Sequence, residues 1–395
     1  MSKPLKIAIY SGEIPSTTFI ERLIFGLSKK KCKIYLFGYL NLAKKYSKNI
    51  HVYGYNDNRL FKFYLLLKYT ILLFLFKRKD KLKLDAIIKS NYKNKAITKI
   101  KYYPVLWHKP DIFHLQWSKS IEDWIWVKEF GIKFIVSLRG AHINYSPLFD
   151  KNLAKTYKDL FPKVDGFHAV SNAILKEAEK YGADKNITKV IYSGLPNNDK
   201  IFTSNNNNNN NNDKIFTIIS VGRNHWKKGY NYAIDCCKIL KEKEIDFQYQ
   251  IIGAKGSEEL EYLINAQHLN ENIILTNKMP FNEVQQHIKS ANLLLLSSVE
   301  EGIANVVLEA MQLGTLVLST NCGGMEEVIE NGKNGFIVPI RDVEKMVSAI
   351  IEITKLKELE ITEIIKNAKQ TIKSNFTEES MIKNMLTLYQ QVYNK

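Results

Sequence analysis

Glu301-Gly302-Ile303-Ala304-Asn305-Val306-Val307-Leu308-Glu309 places two carboxylates eight residues apart. The first stands beside a glycine in a predicted loop. The second lies inside an amphipathic helical pattern that follows the apolar run Leu293 to Leu296. A strand, a glycine turn and a helix start leave backbone N–H groups pointing above the sheet, where those groups and the helix dipole favour phosphate. Carboxylates beside such a turn suit the neutral hydroxyls of a sugar or ribose. Taken alone, the same pair also reads as a solvated loop acid and a first-turn acid favoured by the dipole.

Two neighbouring turns carry related chemistry. The apolar stretch Ile215 to Val221 runs into Gly222-Arg223-Asn224-His225-Trp226-Lys227-Lys228-Gly229 and then a predicted helix from Tyr230 to Lys241. Leu316 to Ser319 leads into Asn321-Cys322-Gly323-Gly324-Met325-Glu326-Glu327. Three strand-to-helix turns with ligand chemistry describe one pocket.

On these residues the chain resembles the family-4 glycosyltransferases of the GT-B fold. Their nucleotide-sugar site carries a Gly-Arg turn with a Lys-Gly farther on, a Glu-x7-Glu motif and a Gly-Gly-x-x-Glu turn, in that order. The resemblance implies an α/β protein of two Rossmann-like doubly wound domains facing across a cleft, with a C-terminal helix crossing back to the N-terminal domain. It implies a retaining sugar transfer from a UDP- or GDP-sugar to a glycan or lipid-linked oligosaccharide in surface polysaccharide synthesis. Glu309 would accept the ribose hydroxyls and Glu301 a hydroxyl of the transferred sugar, while Gly222, Ile303, Ala304, Asn305 and Glu326 would complete the donor side. Asn305 reads equally as a helix cap, and Glu326 as structural. A noncatalytic sugar-nucleotide-binding subunit and a GT-B sugar-nucleotide epimerase stay open as alternatives.

No Asp-x-Asp triplet occurs in the chain, so neither a metal nor another cofactor is expected. Arg223 and Lys228, with the amides of Ile303 to Asn305, are suited to meet the charge of a leaving diphosphate, Arg through its fork and Lys as a point charge. Cations at a helix start oppose the dipole, which disfavours a merely solvated role.

The first half holds looser signals. Ser11-Gly12-Glu13-Ile14-Pro15-Ser16-Thr17-Thr18-Phe19-Ile20 follows the first predicted strand and resembles the acceptor-side loop of these enzymes, with Gly12, Thr17 and Thr18 as its candidate contacts; an ordinary capped turn fits equally. Ser137-Leu138-Arg139-Gly140-Ala141-His142 occupies the place where relatives commonly show Thr-x-His-Gly-x-Asp. Arg139 therefore stands at the usual histidine and His142 at the usual aspartate. Arg139 suits donor phosphate or an acidic acceptor; His142 is a titratable candidate or a structural histidine. His114, in Asp111-Ile112-Phe113-His114-Leu115-Gln116-Trp117, resembles a cleft histidine and reads equally as a core one.

Apolar runs alternate with helical stretches along the 395 residues, a pattern that predicts parallel sheets covered on both faces. Asn205 to Asn212 is a run of eight asparagines, too polar to bury. The expected division is an acceptor domain over 1–195, a linker over 196–213, a nucleotide-sugar domain over 214–377 and a final helix over 378–395.

Residues 1–200 hold 37 Lys and Arg against 16 Asp and Glu, whereas 201–395 hold 20 against 24. The basic half suits an anionic membrane surface or is simply a solvated lysine-rich face. No zinc-finger spacing or nucleic-acid signature accompanies it, so nucleic acid is not an expected partner. Leu60 to Phe76 has 14 apolar residues in 17 and is followed by Lys77-Arg78-Lys79-Asp80-Lys81-Leu82-Lys83. It is shorter than the roughly 20 residues of a membrane span and carries two lysines, so it reads as an interfacial helix or as a buried one. Met1 leads directly into a predicted strand, and Cys32, Cys236, Cys237 and Cys322 lack zinc or disulfide spacing. The expected location is the cytoplasm, with peripheral attachment to the inner face of the membrane as an extension.

Overall fold

The computed structural model describes residues 4–42, 44–197 and 215–395. The eight-asparagine run and the rest of 198–213 lie outside the described residues. The chain divides into two compact units, one of Met1–Val170, Ile174–Gly194 and Glu378–Lys395, the other of Ser171–Ala173 and Leu195–Thr377.

In the first unit, β1 (Leu5–Ile14), β2 (Cys32–Leu40), β3 (Ile50–Tyr55), β4 (Ile112–Leu115), β5 (Lys133–Leu138), β6 (Gly166–Ala169) and β7 (Thr188–Val190) form a sheet in the order β3-β2-β1-β4-β5-β6-β7. Every pairing is parallel. A sheet covered on both faces needs strands that are apolar throughout, and β4 and β6 are buried along their whole length. β1 runs further than the sequence suggests. A bulge between Tyr10 and Glu13 lets Ile14 still pair with Leu40, so Gly12 sits in the bulged end of a strand rather than in the expected loop.

The helix Glu378–Tyr393 belongs to this unit. Its Met381, Ile382, Met385, Leu388, Tyr389 and Val392 share one buried cluster with Ile7 and Ile9 of β1 and with Ile20, Leu23 and Leu27 of the helix Thr18–Ser28.

The apolar segment forms the helix Arg59–Phe76, capped by Asn58, whose side chain accepts from the Phe61 amide. Tyr69 and Leu73 are buried, and Leu65, Leu66 and Leu72 pack against the core beside them. The opposite face carries Leu60, Phe63, Leu67, Ile71, Phe74 and Leu75, all exposed, at helical spacing. One face of the segment is thus packed on the core, and the other is left exposed.

In the second unit, β8 (Phe216–Val221), β9 (Phe247–Ile252), β10 (Ile273–Thr276), β11 (Leu293–Leu296), β12 (Leu316–Thr320) and β13 (Phe336–Val338) form a parallel sheet ordered β10-β9-β8-β11-β12-β13. The chain winds from β8 to one side and returns to β11 on the other. That reversal opens a crevice at the carboxyl ends of β8 and β11, the place where open α/β sheets bind ligands. The four cysteines are buried free thiols.

Candidate nucleotide-sugar site

The turn after β8 and the turn after β11 are stitched together. The Val299 amide donates to the Lys227 carbonyl at 2.8 Å, and the Ser297 hydroxyl donates to the Lys228 carbonyl at 2.9 Å. Gly229 makes this approach feasible: it adopts φ +61°, and a Cβ there would lie 2.2 Å from the Ser297 carbonyl oxygen. The turn after β12 joins the same group. Gly324 N–H donates to the Gly302 carbonyl at 2.6 Å, and a Cβ on Gly323 would sit 1.9 Å from the Glu301 carbonyl oxygen. The Thr320 hydroxyl closes the arrangement on the Ser298 carbonyl.

These turns set two lysines on one carboxylate. Lys228 Nζ is 2.6 Å from Glu301 Oε1, and Lys227 Nζ is 3.7 Å from Oε2. All three side chains are mostly buried, with exposures of 16%, 18% and 12% for Lys228, Lys227 and Glu301. Ser298 Oγ also reaches Glu301 Oε1, at 3.4 Å. Arg223 is exposed on the same turn. His225 registers the surplus positive charge: burial first, then Arg223, Lys227 and Lys228, hold its imidazole below the usual histidine value. Tyr230 donates to the Gly222 carbonyl at 3.0 Å, and burial with the nearby Glu301 raises its phenol.

Above Glu301, the helix Asn305–Leu313 begins without a side-chain cap. Ala304 occupies the N-cap, its amide directed at Met325 Sδ at 3.5 Å, so Asn305 is not the cap that the sequence allowed. Asn305 Oδ1 is buried and has no hydrogen-bond partner among the described residues. Glu309 lies one turn along this helix, and it and Ile303 are half-buried. Glu326 points outward in the short turn Met325–Glu327 and is exposed. Its neighbour Glu327 instead takes the Asn172 and Ala173 amides at 2.9 Å, residues that cluster with this unit.

The first unit has its own switch point, between β1 and β4. His114 is placed in the interior rather than on that edge. It is 0% exposed, with Nδ1 2.8 Å from the Tyr389 hydroxyl and Nε2 2.9 Å from Ser137 Oγ. Ser137 Oγ is 2.9 Å from His168 Nδ1, and His168 Nε2 is 3.0 Å from the Ile191 carbonyl. A carbonyl only accepts, so His168 carries its proton on Nε2 and receives Ser137 O–H on Nδ1. Ser137 then accepts from His114 Nε2–H, and His114 Nδ1 accepts from Tyr389. Every group is satisfied with both imidazoles neutral. Burial drives the His114 pKa well down and takes His168 to about 3.

Arg139 is half-buried at the end of β5. Its guanidinium donates to Gln116 Oε1 at 2.9 Å and lies over the Phe19 ring at 4.7 Å and the Trp117 ring at 6.0 Å. His142 packs its ring against Trp117 at 5.3 Å, and its carbonyl accepts from the Tyr157 hydroxyl. Thr17 and Thr18 are exposed at the start of the helix Thr18–Ser28.

Sequence reasoning missed Lys227, Ser297, Ser298, Gln116, Phe19 and Trp117 as parts of these arrangements. Lys227 stands beside Lys228 in one turn, and Phe19, Gln116 and Trp117 lie in stretches already singled out, but nothing local shows that Arg139, from the end of β5, will reach them.

Residues 201–371 match the family model described as glycosyl transferases group 1. The chain is 31% identical over 180 residues to the putative colanic acid biosynthesis glycosyltransferase WcaL of Escherichia coli, a match covering 44% of each sequence. The chain thus spans under half the length of that curated relative. Among solved structures it is similar to sucrose-phosphate synthase from Thermosynechococcus elongatus, with TM-score 0.77 and 15% identity over 99% of both chains. It is also similar to Anabaena Alr3699/HepE in complex with UDP-glucose, with TM-score 0.71 and 16% identity over 98% of this chain and 100% of that one. The fold is GT-B, with two Rossmann-like α/β units.

Proposed function

We propose that the chain is a retaining, metal-independent glycosyltransferase that moves a sugar from a UDP- or GDP-sugar to a glycan or lipid-linked acceptor in surface polysaccharide synthesis. The observation that carries the proposal is the second unit's switch point, where Lys227, Lys228 and Glu301 meet beside a helix start that no side chain caps. The uncapped amides and the cations suit a diphosphate, and Asn305 Oδ1 and Glu309 offer acceptors for hydroxyls. The name of WcaL supports a polysaccharide product, and the UDP-glucose bound by Alr3699/HepE supports the donor class.

In the proposed reaction the bond from the anomeric carbon to the diphosphate oxygen breaks, and the acceptor oxygen bonds to the same face of that carbon. The acceptor proton passes to the departing diphosphate. Arg223, Lys227 and Lys228 supply the positive charge that the leaving group needs. The retaining course follows from the family resemblance.

The acceptor is placed at the cytoplasmic face of a membrane. Among the described residues no helix is long and apolar enough to cross one. The exposed stripe of the helix Arg59–Phe76, from Leu60 to Leu75, instead suits an interfacial position, with Arg78 and Lys79 exposed beside it.

Incubation with UDP- and GDP-sugars, with and without membrane extract, tests the reading. Diphosphate release that depends on extract supports transfer. Binding without turnover indicates a noncatalytic subunit, and inversion of the sugar indicates an epimerase.

A further inference from the structure

Among the described residues, the Arg139 guanidinium has no counterion. No ion pair among the described residues involves it, and its one hydrogen-bond partner is the neutral amide oxygen of Gln116. Arg139 Nε is buried with no protein acceptor. Gln116 is 0% exposed, and its Nε2, having given its oxygen to Arg139, is also a buried donor with no protein acceptor. Two N–H donors on one hydrogen-bonded pair are thus left without acceptors, and the rings over the guanidinium, Phe19 and Trp117, are neutral.

Leaving a buried donor unmatched is costly, and leaving a charge unpaired costs more. The group that relieves both carries negative charge and at least two acceptor lone pairs. A planar guanidinium matches a carboxylate or phosphate through two parallel bonds. The pair follows β4 and β5, beside the switch point between β1 and β4.

We infer that Arg139 and Gln116 form an oxyanion subsite for an acidic acceptor, one that bears a carboxylate or a phosphate monoester on its sugar. The inference deepens the transferase reading and rests on it for the word acceptor; the anion subsite itself does not.

The test uses the full chain and saturation-transfer NMR with glucuronate, glucose 6-phosphate and glucose, with calorimetry of UDP alongside. At least one of the two anions should bind the wild-type protein tenfold or more tightly than glucose, and the better anion identifies the carboxylate or the phosphate as source. Gln116→Glu keeps the shape of the side chain but pairs Arg139 internally. It should lose anion binding tenfold or more while keeping the wild-type melting temperature and UDP affinity. Arg139→Gln should lose it as well, and Lys228→Ala should keep it, which separates the subsite from the donor site. Equal anion binding by wild type and Gln116→Glu, or no preference for either anion over glucose, overturns the inference. Anion binding without UDP binding by the wild type would remove the transferase reading and leave the subsite standing.

Discussion

Lys228 Nζ lies 2.6 Å from Glu301 Oε1, although the two residues come from separate turns 73 positions apart in the chain. The carboxylate therefore neutralises part of the charge that an incoming diphosphate would use. Replacing Glu301 by Gln keeps the shape and releases that charge. UDP or GDP, whichever binds, should bind Glu301→Gln as tightly as wild type or up to about tenfold more tightly. Turnover should fall about 10²-fold, the scale of losing one group that acts on the reacting centre. Nucleotide binding that weakens in this variant would show that Glu301 holds the nucleotide and not the sugar.

The proposed reaction draws the leaving group's positive charge from the same turn, without a metal. Activity should be unchanged in EDTA, measured as extract-dependent diphosphate release. Loss of activity in EDTA, restored by Mg²⁺, would contradict the role given to Arg223, Lys227 and Lys228.

The chain of buried hydrogen bonds from Tyr389 through His114, Ser137 and His168 should make the first unit acid-sensitive. Both histidines have folded pKa values lowered by burial, that of His168 to about 3. Their neutral forms stabilise the fold fully above the unfolded value near 6.5, and that stability is lost as pH falls below it towards the folded values. Each group contributes about 1.4 kcal/mol per pH unit at most in that window. The melting temperature should fall by several degrees between pH 7 and pH 5, and a flat profile would contradict this assignment. Tyr389→Phe leaves His114 Nδ1 without its donor and should cost roughly 1–3 kcal/mol at pH 7.

The exposed stripe on the helix Arg59–Phe76 should bring the protein to anionic vesicles at low salt, with release as ionic strength rises and no binding to neutral vesicles. The basic flank is not uniform. Lys77 Nζ bonds the Leu106 and Trp107 carbonyls at 3.2 and 3.0 Å, and Lys81 and Lys83 pair with Asp85 and Glu129. Arg78→Glu with Lys79→Glu should therefore abolish pelleting while sparing nucleotide binding, whereas reversal at Lys77 would strip two carbonyls of their donor. Wild-type protein that stays in the supernatant with anionic vesicles at low salt removes the membrane reading.

Local pattern and structure agree where a signal is repeated along the chain. Leu293 to Leu296 reads as a buried strand because both faces of a parallel strand are covered, and the glycine turns after Val221 and Leu296 lie at strand ends where the sequence puts them. Long-range pairing was not legible in this way. Nothing near His114 announces Tyr389, 275 positions away, and nothing near Glu301 states that Lys228 will pair with it. Nothing local marks Gln116, whose amide oxygen is taken by Arg139 from the end of β5 while its Nε2 stays unmatched. The helix Arg59–Phe76 blurred for a different reason: with apolar residues on its packed face and its exposed face alike, it has no polar side for periodicity to detect.

The most direct test of the donor site is calorimetry of UDP and GDP on wild type, Lys228→Ala and Glu309→Ala. One nucleotide should bind the wild type, Lys228→Ala should weaken it tenfold or more through loss of a charge-assisted contact, and Glu309→Ala should weaken it through loss of the acceptor for the ribose hydroxyls. Binding of neither nucleotide to the wild type, or binding unaffected by either substitution, would contradict the donor site.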